Sequence, residues 1–146
     1  MVSIKVKKLD AAAQVPRYAH VGEFGDLAAD VYASAGVVLA RAGEAGSTQA
    51  VPTGIAMEFP ATHGALVEDR SGLAVRGVTT LAGVIDPGYR GEVRVILLNL
   101  GREPYTVHAG DRIAQMIVAR YEAVEWVEGE LADSARGTGG FGSSGR

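Results

Sequence analysis

Four short stretches of the chain gather charged, hydroxyl and glycine residues at spacings that could do chemistry. In EDRSGLA, Glu68 to Ala74, a cation, a hydroxyl and a glycine are adjacent. Arg70 offers a planar fork of donors, Ser71 a neutral donor, and Gly72 lets backbone N–H groups approach an anion. This composition suits a phosphate clamp, and it also suits an ordinary Asp-Arg-Ser-Gly surface turn. In GVIDPGYRGE, Gly83 to Glu92, Asp-Pro-Gly is turn chemistry. The turn is either a hairpin that Asp86 caps or a rigid mount that presents Asp86 and Tyr89 side by side. An aspartate of ordinary pKa, about 3.9, is ionised at neutral pH and can take a proton from a water or orient it. In AGDRIAQM, Ala109 to Met116, Gln115 interrupts an otherwise apolar run, and its amide needs a ligand, a neighbouring chain or a loop backbone as partner. The fourth stretch, RGTGGFGSSGR from Arg136 to Arg146, has the glycine and serine content of a flexible terminus. Its single aromatic, Phe141, is foreign to such tails and common where a base is stacked. Gly140 to Arg146 imitates the spacing of a Walker A loop but lacks its Lys and its Ser or Thr, so P-loop chemistry is excluded.

The elements that must position these residues read as strands. Apolar residues alternate at Val2, Ile4 and Val6, at Val93, Val95 and Leu97, and at Ile113 and Ile117 around Gln115. Gly, Pro and Asp clusters such as AGEAGS, FPATHG and DPGYRG separate them, and no stretch is long enough for an amphipathic helix. The pattern predicts an all-β sandwich or jelly roll. EVRVILLNL is apolar on both faces in its second half, which predicts a strand in the middle of a sandwich or one covered by another subunit. With 146 residues one domain is expected, its folded body at 1–127 and a Gly/Ser-rich arm at 128–146.

Composition excludes whole classes of function. With no cysteine there are no disulfides, thiol nucleophiles or cysteine–zinc sites. His20, His63 and His108 stand in no ligand-like spacing, so any metal should be a hard cation met by oxygen. A formal charge of −3 provides no basic footprint for nucleic acid. No long apolar run and no signal-peptide pattern is present, so the chain is expected to be soluble and cytoplasmic, without a membrane partner.

Taken in order, five segments resemble the motifs of the trimeric dUTP diphosphatase (dUTPase) family: LAADVYAS, DRSGLA, GVIDPGYRGEV, GDRIAQM and RGTGGFGSSG. The resemblance runs from about Val6 to Gly145. It implies a single-domain jelly roll that forms a homotrimer, with three active sites shared between chains and a flexible glycine-rich C-terminal arm that closes over a site. It implies hydrolysis of dUTP to dUMP and pyrophosphate by water attack at the α-phosphorus, limiting uracil in DNA and supplying dUMP for thymidylate synthesis. By the same resemblance Asp86 activates the water. Arg70, Ser71, Gly72, Gln115, Arg136, Gly142, Ser143 and Ser144 match phosphate contacts. Thr80, Gly83, Val84, Ile85, Tyr89 and Phe141 match the uracil and deoxyribose contacts, with Tyr89 excluding a 2′-hydroxyl. Mg²⁺ is implied as cofactor, held by substrate phosphates and water and by no direct protein ligand. Asp30 and Asp111 are expected to be acidic neighbours in supporting roles.

The chain departs from the family pattern at a few positions. Asp69 stands where Pro usually precedes the motif's arginine, bringing a negative charge that either orients Arg70 or opposes the triphosphate. Thr80 stands where an Asn often contacts the base, and Ala28 where Gly is common. Two rival functions remain from the sequence: a dCTP deaminase of the same fold, and a trimer that binds nucleotides without turning them over. No Glu lies within the uracil turn, against the first, and Asp86 is retained, against the second.

Overall fold

The computed structural model describes residues 1–140. Ten strands and one helical turn follow one another: β1 (Lys5–Lys8), β2 (Ala29–Tyr32), β3 (Val37–Leu39), β4 (Thr48–Glu58), β5 (His63–Glu68), α1 (Ser71–Ala74), β6 (Val78–Leu81), β7 (Val84–Ile85), β8 (Glu92–Asn99), β9 (Tyr105–Val107) and β10 (Arg112–Arg120). They form two four-stranded antiparallel sheets, ordered β1-β4-β8-β6 and β2-β10-β5-β7, and a small β3-β9 pair. The all-β expectation holds.

Alternation explains how the two large sheets share a core. On β8, Val93, Val95, Leu97 and Asn99 are buried while Arg94 is exposed; on β10, Ile113, Ala114 and Met116 are buried. With Val31, Leu39, Val51, Ile55 and Val67 the apolar ones among them make one cluster. Each such fully buried aliphatic side chain contributes roughly 1.5–3 kcal/mol. The two polar members of the inner face are satisfied: the Thr53 hydroxyl donates to the Val93 carbonyl, and Asn99 donates to Ala40 and Glu103 carbonyls at 3.0 and 2.8 Å. The second apolar face read from EVRVILLNL is real too, for Ile96 and Leu98 on the outer side of β8 are left half-buried by this single chain.

Two local expectations are corrected. The first strand begins at Lys5, and Val2 is exposed, because the partner register on β4 runs only from Lys5 opposite Glu58 to Lys8 opposite Ile55. The segment after Asp69 is one turn of helix, held by the burial of Leu73. At the other end, β10 stops at Arg120, and Tyr121 makes the last hydrogen bonds to the body among the described residues, its N–H to the Thr62 carbonyl at 3.1 Å and its hydroxyl to the Ala61 carbonyl at 2.9 Å. No helix among the described residues is long and apolar enough to cross a membrane.

Candidate active site

The first group of polar side chains is built on three adjacent strands. Asp30 on β2 and Glu68 on β5 both lie opposite Gln115 on the central β10, so the ends of these strands come abreast. Just past Glu68 the chain leaves the sheet, and Arg70, in extended backbone at φ −92° and ψ 130°, starts α1. Its guanidinium reaches back across the sheet: Nε donates to Asp30 Oδ1 at 2.9 Å and Nη1 to the Arg112 carbonyl at 3.3 Å. Arg112 Nη1 donates to the other Asp30 oxygen at 3.3 Å. One carboxylate therefore holds two arginines, an arrangement that keeps positive charge in place with little reorganisation. Gln115 Nε2 donates to the Asp69 carbonyl at 2.7 Å, so the partner its amide required is a loop backbone. Arg70, Ser71, Arg112, Gln115 and Asp30 line an open depression of about 590 Å³ beside Ala28.

Asp69 itself turns the other way. Its carboxylate accepts hydrogen bonds from the Thr80 N–H at 2.5 Å, the Thr80 hydroxyl at 2.7 Å and the Thr79 hydroxyl at 2.7 Å. Burial pushes the pKa of this carboxyl upward, and the three hydrogen bonds outweigh that and hold it below the ordinary aspartate value. The side chain that orients Arg70 directly is therefore Asp30, and Asp69 is not among the residues lining the depression.

The second group surrounds Asp86. Between β6 and β7 the chain changes sheets, for β6 pairs with β8 while β7 pairs with β5. Ala82 takes a left-handed φ of 62° and Gly83 a φ of 119° to make that switch. A side chain at Gly83 would collide with the Val67 carbonyl, whose own N–H donates to the Gly83 carbonyl at 2.8 Å. The Asp86–Tyr89 turn closes through Tyr89 N–H to the Asp86 carbonyl at 3.1 Å, but β7 and β8 on either side of it are not paired with each other. Of the two readings the sequence left open for this turn, a regular β7–β8 hairpin is not what forms: the strands are splayed. β7 is the edge of its sheet, and a cleft of about 410 Å³ opens between residues 81–86 and 92–96, with Asp86 and Tyr89 at its mouth. Gly91 lets the Tyr89 ring fold back over it, with the hydroxyl donating to the Glu92 carbonyl at 2.9 Å.

These two groups are separate, and the cleft and the depression share no lining residue. Asp111 serves its own turn, accepting the His108 N–H at 2.8 Å. The Thr80 hydroxyl is committed to Asp69. Arg136 is exposed and donates to the Gly139 carbonyl at 2.9 Å within a local turn. Phe141, Gly142, Ser143 and Ser144 lie outside the described residues. Among the described residues no group of three or more His, Asp and Glu is gathered as a metal cage would need.

A family model described as dUTPase matches residues 20–145, across both groups and all five motifs. The chain belongs to the dUTPase family. It is similar to the deoxyuridine 5′-triphosphate nucleotidohydrolase of Solibacter usitatus, 55% identical over 148 residues that cover 99% of this chain and 97% of the relative. In fold it matches the dUTPase of Staphylococcus bacteriophage 80alpha solved with dUPNHPP, with a TM-score of 0.81, 24% identity and 98% of each chain covered. It also matches a variant of the dUTPase from phage phi11 of S. aureus solved with a structural Mg(II) ion, with a TM-score of 0.75, 19% identity, and coverage of 90% of this chain and 99% of that one.

Within this dUTPase-family site, two residues escaped the sequence reading. Arg112 pairs with Asp30 and offers its carbonyl to Arg70. Thr79 joins Thr80 on the Asp69 carboxylate. A threonine beside Thr80, ten residues after an unexpected aspartate, was the available signal for Thr79, but spacing alone does not bring them together.

Proposed function

We propose that this dUTPase-family chain hydrolyses dUTP to dUMP and pyrophosphate, as a homotrimer in which each site joins the Asp86 cleft of one copy to the Arg70 depression of another. The observation that carries the reading is the separation of these two groups on one chain. Each is formed in itself, one with a carboxylate beside a cleft and the other with two arginines and an amide, and this reading takes each as one half of a site. The half-buried outer faces of β8 and β10 supply apolar surface for association.

In this mechanism uracil lies against the unpaired backbone edge at Gly83, Val84 and Ile85, with Thr80 behind it. Tyr89 packs on the deoxyribose and leaves no room for a 2′-hydroxyl. Arg70, Ser71 and Gly72 take the phosphates and Gln115 orients the α-phosphate and the water. Asp86 removes a proton from that water as its oxygen bonds to the α-phosphorus, the bridge to the β-phosphorus breaks, and pyrophosphate leaves. Positioning and charge neutralisation carry most of such phosphoryl chemistry. The arm, 128–146, closes over the site, with Arg136 on the γ-phosphate, Phe141 on the base, and Gly142, Ser143 and Ser144 on the phosphates.

Mg²⁺ fits this donor set at one remove. Asp30 has both oxygens committed to arginines and Asp111 accepts from its own turn, which leaves neither free to ligate and fits an ion that substrate phosphates and water would hold. When bound, Mg²⁺ neutralises charge on the triphosphate. The reaction limits uracil incorporation into DNA, supplies dUMP, and belongs in the cytoplasm.

The test is pyrophosphate release from dUTP, dCTP, dTTP and UTP with Mg²⁺, with the base of each product identified. dUTP is expected to be turned over in clear preference. Preference for dCTP with ammonia release would assign a deaminase instead, and tight dUTP binding without pyrophosphate would assign a nucleotide-binding trimer.

A further inference from the structure

We infer that Asp69 is a positioning residue that sets the phosphate half of the site by tying the Arg70–Gly72 loop and the Gln115 amide to β6. This rests on the hydrolytic reading above. The two ends of Asp69 face different sheets. Its carboxylate collects three donors from Thr79 and Thr80 on β6, in the sheet β1-β4-β8-β6, while its carbonyl holds Gln115 on β10, in the sheet β2-β10-β5-β7. The loop that carries Arg70, Ser71 and Gly72 starts from this bridge. The carboxylate is not a helix cap: the residue capping α1 is Arg70, with no side-chain cap bond, and the Asp69 carboxylate bonds to Thr79 and Thr80 on β6 instead.

The bridge has a chemical consequence for Gln115. A carbonyl can only accept, so the Asp69 carbonyl fixes the amide with its nitrogen inward. Oε1 is left as an acceptor that can take a hydrogen bond from a water, while the second N–H of the amide can still meet a phosphate oxygen. Arg70, by contrast, is anchored independently on Asp30. Loss of Asp69 should therefore disturb the step that needs an oriented water more than the binding of phosphates.

The experiment compares Asp69→Ala, Asp69→Asn and the Thr79→Val/Thr80→Val double variant with the full chain in steady-state dUTP hydrolysis, and follows the Gln115 side-chain amide by NMR in each. Asp69→Ala is expected to lower kcat about tenfold with KM changed less than about threefold, a loss expressed in the transition state. Asp69→Asn keeps an acceptor for Thr80 and can donate to the Thr79 hydroxyl, so it is expected to recover most of kcat. The double threonine variant should reproduce the slow kcat with the carboxylate still present, and it carries the test if Asp69→Ala does not fold. Slow hydrogen exchange of the Gln115 amide is expected in the unaltered chain and Asp69→Asn, and fast exchange in the other two. Normal kcat in Asp69→Ala or in the double variant, or Asp69→Asn as slow as Asp69→Ala, would overturn the inference. Absence of dUTP turnover in the unaltered chain would instead sink the hydrolytic reading, while the Gln115 exchange rates would still decide whether Asp69 places that amide.

Discussion

Around Arg70 the polar side chains reach across strands, Arg70 and Arg112 to Asp30 and Gln115 to the Asp69 carbonyl, whereas between Asp86 and Glu92 the loop is largely exposed and held by local bonds, one within the backbone and three from Tyr89 and Arg90 to the loop's own carbonyls. The first region handles concentrated negative charge, and donors that face it must be fixed beforehand to be effective. The second presents one carboxylate and one ring beside an unpaired strand edge, and there openness admits a nucleotide. The contrast teaches that the same chain uses cross-strand bonding where charge is to be met and turn chemistry where a group is to be presented.

The sharpest way to break this comparison is Asp86→Asn. Since the turn is closed by the Asp86 carbonyl and not its side chain, the loop should be retained. Turnover is expected to fall by roughly a hundredfold or more while dUTP still binds. Steady-state kinetics together with calorimetric titration would check it; a normal rate would remove Asp86 from the chemistry. Asp30→Ala should act in the opposite sense, leaving two guanidinium groups without their carboxylate. A loss of roughly 1.5–3 kcal/mol is expected in urea denaturation, together with a raised KM for dUTP; unchanged stability would show that the arginine pair holds itself.

A smaller effect is expected from pH. The Asp69 carboxyl is held below its ordinary pKa, so its contribution is fully present above the unfolded value, about 3.9, and is lost as pH falls through the lower folded value. The stability difference between the unaltered chain and Asp69→Asn should thus be constant near neutrality and shrink below pH of about 4. Acid titration of thermal midpoints would reveal it, and a constant gap down to the most acid pH would contradict the hydrogen-bonded carboxylate. The smallest change is expected for Tyr89→Phe, which removes one exposed hydrogen bond to the Glu92 carbonyl and should cost about 0.5 kcal/mol by denaturant midpoint.

Much of the fold could be read directly. Alternation located β8 and β10, and Asp-Pro-Gly located the turn at Asp86, because strand periodicity and turn chemistry are local properties. The start of β1 was misplaced because Val2 continues the alternation while no β4 residue pairs with it. The splaying of β7 from β8 was illegible for a related reason: which neighbour a short strand chooses depends on the rest of the sheet.

By itself the sequence determined the residue types with chemical capacity, the order of the five motifs and the β character of the chain. Tertiary structure alone decided that Arg70 rests on Asp30, 40 positions away, and that Arg112 meets the same carboxylate from 82 positions away. It also decided that Asp69 serves Thr79, Thr80 and Gln115 rather than Arg70. The physical reason is that alternation specifies which face of a strand a residue occupies, while strand register and sheet crossing decide which residues meet there.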